Sequence, residues 1–385
     1  MGKTNFIIYH VGARDNYLLA ETILQKNEQA YLFTDYWLYK NSILNLFGKN
    51  YRRINHQIND NNVEAFSLFQ ILIVELRKRF IKNKFQLWNF LGYNFQNFVL
   101  KNIKLNTDDK FIFFGFTGGN FQVLKELKDK SNLVFIHNQF DPGLVYYDLD
   151  ESSSNKYKEL FLKNIIKEWD LSDLIIVNSQ YSKNCLIEKG VSSQKIKIVP
   201  LAYNKPINEF EKINNKKLKI AFIGNVNKIK GFETFLEVAK LTSDSCEFVA
   251  IGNIYIDNKI FHDAKSYISF LGFLNKEELE EYYKQIDVLI FPTFCDGFGM
   301  VQLEAMANGI PVIASEFCAK IVDDNRNGFI VNDYKDIVEK IEILNHDREL
   351  LSKFSKNSFQ TAKEYSIENY VLNLNEALSE LNIVI

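Results

Sequence analysis

Four cysteines, Cys185, Cys246, Cys295 and Cys318, are scattered through 385 residues without a C-x-x-C pair. That spacing supports neither a disulfide framework nor a zinc site, and it predicts reduced thiols in a cytosol. The start of the chain lacks a basic n-region, a long apolar h-region and a small-residue cleavage site, so export by a signal peptide is not expected. No stretch approaches the roughly eighteen consecutive apolar residues that cross a bilayer, which limits any membrane contact to a peripheral one. Charge of one sign is also missing: the net value is −2, and with no recognised nucleic-acid module the chain is not expected to bind nucleic acid. Neither half carries a G-x-G-x-x-G after its first strand, which argues against a nicotinamide-dependent dehydrogenase.

What is present is enough apolar material, 46% of residues, to bury real cores, in a chain too long for one. Short β-branched and aromatic runs alternate with helical patterns, as in parallel sheets built from βαβ units. The first series predicts strands over residues 6–10, 30–34, 110–114, 132–137, 174–178 and 197–199, with helices over 17–26 and 155–169. The segment 203–217, holding Pro206 and several Asn and Lys, reads as a linker. A second series predicts strands over 219–223, 247–251, 268–271, 287–291, 311–314 and 328–331, with helices over 231–241, 276–285, 301–307 and 333–345. The expected architecture is α/β, with two tandem Rossmann-like domains, 1–204 and 205–365, facing a cleft. A C-terminal helix in 366–385 is expected to pack back towards the first domain. Residues 1–200 hold 26 basic against 20 acidic residues, and 201–385 hold 20 against 28, so the halves carry about +6 and −8. A basic first half can attract anionic acceptors or lipid head groups.

The most informative stretch is Phe291–Ala314, FPTFCDGFGMVQLEAMANGIPVIA. A buried strand ends at Pro292, a turn with two glycines follows, and a helix opens near Gly299. Backbone N–H groups at such an opening carry the positive end of the helix dipole and suit a diphosphate or a sugar hydroxyl. Asp296 before the loop and Glu304 on the helix can both accept hydrogen bonds from one polyol. A second strand, turn and helix, IAFIGNVNKIKG over Ile220–Gly231, places Lys230 where it can neutralise a leaving diphosphate. A third run, LVFIHNQ over Leu133–Gln139, ends an apolar strand with His137, which a lone histidine's usual structural role also explains.

At these residues the chain resembles the retaining glycosyltransferases of family 4, which have the two-domain GT-B architecture. Their signature is a Glu, a G-F-G loop and a second Glu eight positions after the first; here Asp296, Gly297, Phe298, Gly299 and Glu304 stand in those places. The resemblance implies that Asp296 and the amides of Gly297, Phe298, Gly299, Met300 and Val301 hold the donor sugar and diphosphate, and that Glu304 holds the ribose. The first acid is Asp where the family has Glu, which shortens its reach by roughly 1.3 Å. In the family's G-R-x-x-x-x-K-G element Arg and Lys clamp the diphosphate; Gly224, Lys230 and Gly231 match, while Asn225 replaces the Arg, which either weakens donor binding or hands the task to Lys228, a residue that reads more readily as a lysine on a solvated helix start.

By the same resemblance His137 touches the donor sugar, Gly252 lets the nucleotide approach, Phe273 lies near the base, and Gly12 belongs to the acceptor side. His137, Lys230 and Asp296 are then the catalytic candidates. The family works on a nucleotide-sugar donor and commonly on a glycan or lipid-linked acceptor, without a bound metal or other cofactor. Asp148-Leu149-Asp150 spells the D-x-D of metal-dependent glycosyltransferases of another fold, but no other ligands accompany it, and it reads as a solvated loop. The segment 75–91 interleaves basic and apolar residues, which suits either a helix on the inner face of an anionic membrane or an ordinary domain helix with snorkelling lysines. Two rivals to transfer remain: a nucleotide-sugar epimerase of the same fold, and a non-catalytic sugar-nucleotide binder.

Overall fold

The structure is a computed structural model and describes residues 3–12, 17–37, 39, 57–130, 132–149, 156–203 and 216–385. Seven strands form the first sheet: β1 (Thr4–His10), β2 (Ala30–Thr34), β3 (Val63–Ala65), β4 (Lys110–Phe116), β5 (Leu133–Gln139), β6 (Leu174–Val177) and β7 (Ile196–Ile198). Around it lie α1 (Leu18–Lys26), α2 (Leu68–Lys78), α3 (Lys84–Asn102), α4 (Phe121–Leu127), α5 (Leu144–Asp148), α6 (Lys156–Leu171) and α7 (Gln180–Glu188). The second sheet has β8 (Leu218–Ile223), β9 (Cys246–Ile251), β10 (Ile268–Gly272), β11 (Val288–Phe291), β12 (Val312–Ser315) and β13 (Gly328–Val331). Its helices are α8 (Phe232–Thr242), α9 (Asn258–Ala264), α10 (Lys276–Tyr283), α11 (Met300–Ala307), α12 (Tyr334–His346) and α13 (Arg348–Glu364), with α14 (Ile367–Ser379) closing the chain.

All paired strands are parallel, in the orders β3-β2-β1-β4-β5-β6-β7 and β10-β9-β8-β11-β12-β13. Helices cover both faces of such sheets, which is why β4 reads KFIFFGF with six of seven residues buried rather than alternating. Each sheet reverses its winding once, between β1 and β4 and between β8 and β11. Crevices open at the carboxyl ends of strands at such reversals.

Two expectations about elements need correction. The segment 75–91 is not one helix: α2 stops at Lys78, α3 starts at Lys84, and residues 79–83 turn between them. Asn83 caps α3 by accepting the Gln86 N–H at 3.0 Å, so the break is locally encoded. The three-residue edge strand β3 was too short to leave a period-2 pattern. The predicted linker falls mostly outside the described residues, as do the boundary between residues 204 and 205 and Asp150.

The last helix returns to the first sheet. Tyr370, Leu374, Ala377 and Leu378 of α14 share a core cluster with Phe6 and Ile8 of β1 and Leu32 of β2. The Lys197 ammonium also pairs with the Glu380 carboxylate.

Candidate active site

A cavity of about 560 Å³ lies between the carboxyl ends of the two sheets. From the second sheet it is lined by Lys230, Asp296, Gly297, Met300 and Glu304, and from the first by Val11, Thr117, Gly118, Gly119, Asp141 and several aromatic residues.

Two loops of the second sheet are locked together before either reaches the cavity. The carbonyl of Ile229 accepts the Phe294 N–H at 2.9 Å and the Thr293 hydroxyl at 3.2 Å. A Cβ on Gly231 would lie 1.9 Å from the Pro292 carbonyl oxygen, so this close approach admits only glycine. The result is that Lys230 and Asp296, far apart in sequence, form an ion pair with their side chains 24% and 19% exposed. The other Asp296 oxygen accepts the Phe298 N–H at 3.2 Å. Gly299, with φ +78°, turns the chain into α11, and Glu304 on that helix accepts the hydroxyl of buried Tyr283 at 3.2 Å.

The two units touch at Gly297. Its carbonyl accepts the Ser179 hydroxyl at 2.6 Å and the Ser182 hydroxyl at 3.3 Å, both from the start of α7. On its other side a Cβ would fall 1.8 Å from the carbonyl oxygen of Phe140, in the loop after β5.

Several residues assigned to the site do not line this cavity. His137 is 1% exposed and does not line the cavity. Its Nδ1 accepts from the Asn120 amide at 2.9 Å, so Nε2 carries the proton and donates to Gln139 Oε1 at 3.0 Å. Gln139 in turn donates to Asp141 Oδ1 at 2.6 Å, which places His137 two hydrogen bonds behind a cavity-wall carboxylate. The expectation that it faces the cleft fails because β5 continues to Gln139 and leaves His137 inside the sheet.

Gly224, Asn225, Gly252 and Phe273 also stay off the cavity wall. A Cβ on Gly252 would meet the Gly224 carbonyl oxygen at 2.0 Å, so that glycine serves the contact between the β8 and β9 loops. Phe298 is buried against Tyr365, ring centroids 6.0 Å apart. Gly12 sits one residue beyond the wall residue Val11 and donates its N–H to Asp35 at 2.8 Å. Among the described residues no group of three or more His, Cys, Asp or Glu side chains could hold a metal ion.

Sequence reasoning missed Glu168. Its carboxylate accepts the N–H groups of Gly118, Asn120 and Phe121 at 2.9, 2.8 and 3.1 Å and so fixes the Thr117-Gly118-Gly119 loop on the cavity wall. Its signal is the buried stripe Phe161, Ile165, Glu168 on α6, where an acid stands in an apolar register. Burial pushes the Glu168 carboxyl up to about 7 against the pull of those three bonds, and pushes His137, 4.0 Å away, down to about 4.

These shifts have opposite consequences. Between the ordinary 6.5 of a histidine and about 4, the unfolded chain binds a proton at His137 that the folded one refuses, so stability falls as pH falls. Between about 7 and the ordinary 4.5, the folded chain holds a proton at Glu168 that the unfolded one releases, so stability rises as pH falls. The two cancel in the wild type. Glu168→Gln removes one side, and its stability is expected to drop by about 2 kcal/mol relative to wild type between pH 7 and pH 5. Urea midpoints at the two pH values measure this; parallel pH dependence in the two proteins would contradict it.

The whole architecture has solved counterparts. Anabaena Alr3699/HepE, crystallised with UDP, superposes with a TM-score of 0.66 over 98% of this chain and 100% of its own, at 14% identity. In sequence, an uncharacterised 41.2 kDa protein of the Klebsiella pneumoniae cps region is 27% identical over 299 residues, 71% of this chain and 80% of that one. The Staphylococcus aureus capsular polysaccharide biosynthesis glycosyltransferase CapM is 26% identical over 228 residues, 52% of this chain and 60% of that one. Two parallel sheets facing one cleft, with these relatives, define an enzyme of the glycosyltransferase class with the GT-B fold. More narrowly, residues 204–361 match the family described as glycosyl transferases group 1.

Proposed function

We propose that the chain transfers a glycosyl group from a nucleoside diphosphate sugar to a hydroxyl of a glycan or lipid-linked acceptor, with retention of anomeric configuration as in family 4. The observation that carries this reading is the pairing of Lys230 with Asp296 on the cavity wall, beside Glu304 and the opening of α11. A cation and a polyol-binding carboxylate held together at a helix N-terminus suit the two ends of a glycosyl phosphate bond. In the ligand-free protein each neutralises the other. On donor binding, the diphosphate takes the Lys230 ammonium and a sugar hydroxyl donates to Asp296, so the pair is exchanged for ligand rather than left as two bare charges.

Bond cleavage moves negative charge onto the departing diphosphate, where Lys230 and the amides at the start of α11 stabilise it without a metal ion. The diphosphate oxygen then takes the proton of the attacking acceptor hydroxyl on the same face, which yields retention. UDP in the HepE crystals supports a uridine nucleotide as the first donor to test. The four buried, unpaired cysteines support a site of action on the cytoplasmic side.

Slow donor hydrolysis reads the stereochemistry before the acceptor is known. Proton NMR of a UDP-sugar turned over in water is expected to show the donor's own anomer first, before mutarotation. The opposite anomer appearing first would contradict retention. Epimerisation of the donor with no sugar released would favour the epimerase.

A further inference from the structure

Away from the cavity, α2 turns apolar side chains to solvent. Leu68, Phe69 and Phe80 are 65%, 70% and 83% exposed, and Leu72, Ile73 and Leu76 are exposed as well. At 100° per residue the five on the helix span an arc of roughly 140°. That arc lies opposite the inner face carrying Ile71 and Val74, so α2 is apolar on both sides. The helix does not owe its placement to a partner. Ser67 and Gln70 form a reciprocal cap, with the Ser67 N–H donating to Gln70 at 2.8 Å and the Gln70 N–H donating to Ser67 at 3.3 Å.

Charge identifies what the outer face meets. Residues 68–91 hold five basic side chains, Arg77, Lys78, Arg79, Lys82 and Lys84, against the single acid Glu75. Glu75 is bonded to Lys78 at 2.6 Å, and Arg79 and Lys82 stand exposed beside Phe80 in the turn after α2. An apolar face ending in a basic turn complements a surface that is apolar below and anionic above. A second copy packed through this same patch would bring the same five basic side chains to the basic end. No helix among the described residues is long and apolar enough to cross a membrane, so the contact lies in the interface plane.

We propose that the outer face of α2 and the turn 79–83 dock on an anionic bilayer. The inner face of α2 shares a small recess with Val11 and Leu91, and both of those residues also line the main cavity. Docking therefore sets the lipid across α2 from the recess that adjoins the aromatic wall of the cavity, formed by Trp88 and Phe95 of α3 with Phe116 and Phe161. That wall suits an acceptor carried by a lipid, and this last consequence alone rests on the glycosyl-transfer reading.

The test uses the full chain with no nucleotide or acceptor, so its result is independent of catalysis. Binding is measured by cosedimentation with vesicles of phosphatidylcholine alone and of equal parts phosphatidylcholine and phosphatidylglycerol. Wild type is expected to prefer the anionic vesicles at least about tenfold, and high salt is expected to weaken that preference. Arg79→Gln/Lys82→Gln is expected to lower the partition constant about 25-fold, at about fivefold for each basic side chain. Phe69→Ser/Leu72→Ser/Phe80→Ser, at three exposed positions, is expected to abolish binding while leaving the melting curve in place. Equal binding to both vesicle types, or binding unchanged by both variants, would overturn the proposal. So would absence of vesicle binding together with a dimer on gel filtration that the triple variant dissociates.

Discussion

Lys230→Ala is expected to lower the rate of donor turnover by two to three orders of magnitude while leaving the fold intact. The kinetic cost follows from where the charge acts. In the resting protein the ammonium offsets Asp296; in the proposed reaction it faces negative charge gathering on the leaving group as the glycosyl phosphate bond breaks. Loss of one preorganised stabiliser of such charge typically costs about 10²–10³ in rate. Stability should hardly change. Both side chains of the pair are partly exposed, so the ion pair contributes at most about 1 kcal/mol to folding. Lys230→Arg keeps the charge on a differently shaped group and is expected to recover part of the loss. Release of nucleoside diphosphate under saturating donor measures both, and a Lys230→Ala rate within a few-fold of wild type would remove Lys230 from the chemistry.

Gly297→Ala is expected to damage activity and stability together. The new methyl group would need to sit 1.8 Å from the Phe140 carbonyl oxygen and 2.8 Å from its carbon, and both are backbone atoms that no rotamer can clear. Either the two units separate or the loop holding Asp296 backs away, and the bonds from Ser179 and Ser182 to the Gly297 carbonyl are strained in both cases. Overpacking of this kind costs roughly 1–3 kcal/mol. A displacement of about 1 Å at the reacting groups costs on the order of 10²-fold in rate. Gly119→Ala is the matched control. It lines the same cavity, but its added carbon would meet nothing closer than 3.6 Å, and its melting temperature is expected to stay near wild type. Equal behaviour of the two alanine variants would show that the contact between the units is not needed.

Much of this was written in the chain. The continuous apolar runs at β4, β5, β8 and β11 announced buried parallel strands because both faces of such strands are covered, and their bounds needed only small adjustments. Asp296, Gly297, Met300 and Glu304 were legible as a group because one loop and one helix hold them, and Lys230 because a glycine turn precedes it. The structure gathers all five on the cavity wall.

What was not legible depends on contacts between distant segments. His137 was expected at the cleft from strand position alone. Its burial follows from Asn120, Gln139 and Trp169, the last of which donates to the same Gln139 oxygen at 2.9 Å. Glu168 acts through three N–H groups almost fifty residues upstream, and only its apolar register on α6 hinted at it. The Thr117-Gly118-Gly119 turn did leave a signal, two glycines one residue after an apolar strand, and it is a part of the cavity wall that Gly12 is not. The segment 75–91 misled because its apolar residues belong to two helices with different jobs. Leu76 of α2 and Phe80 of the turn face solvent, while Trp88 and Leu91 of α3 line the cavity.

The central claim is that Lys230, Asp296 and Glu304 form a nucleoside diphosphate sugar site. Calorimetric titration of wild type and Lys230→Ala with UDP, GDP and ADP tests it most directly. One nucleotide is expected to bind wild type with a one-to-one stoichiometry, and its affinity is expected to fall at least tenfold in Lys230→Ala, a loss of about 1.4 kcal/mol or more. Equal affinity in the two proteins, or no binding by wild type to any of the three, would contradict it.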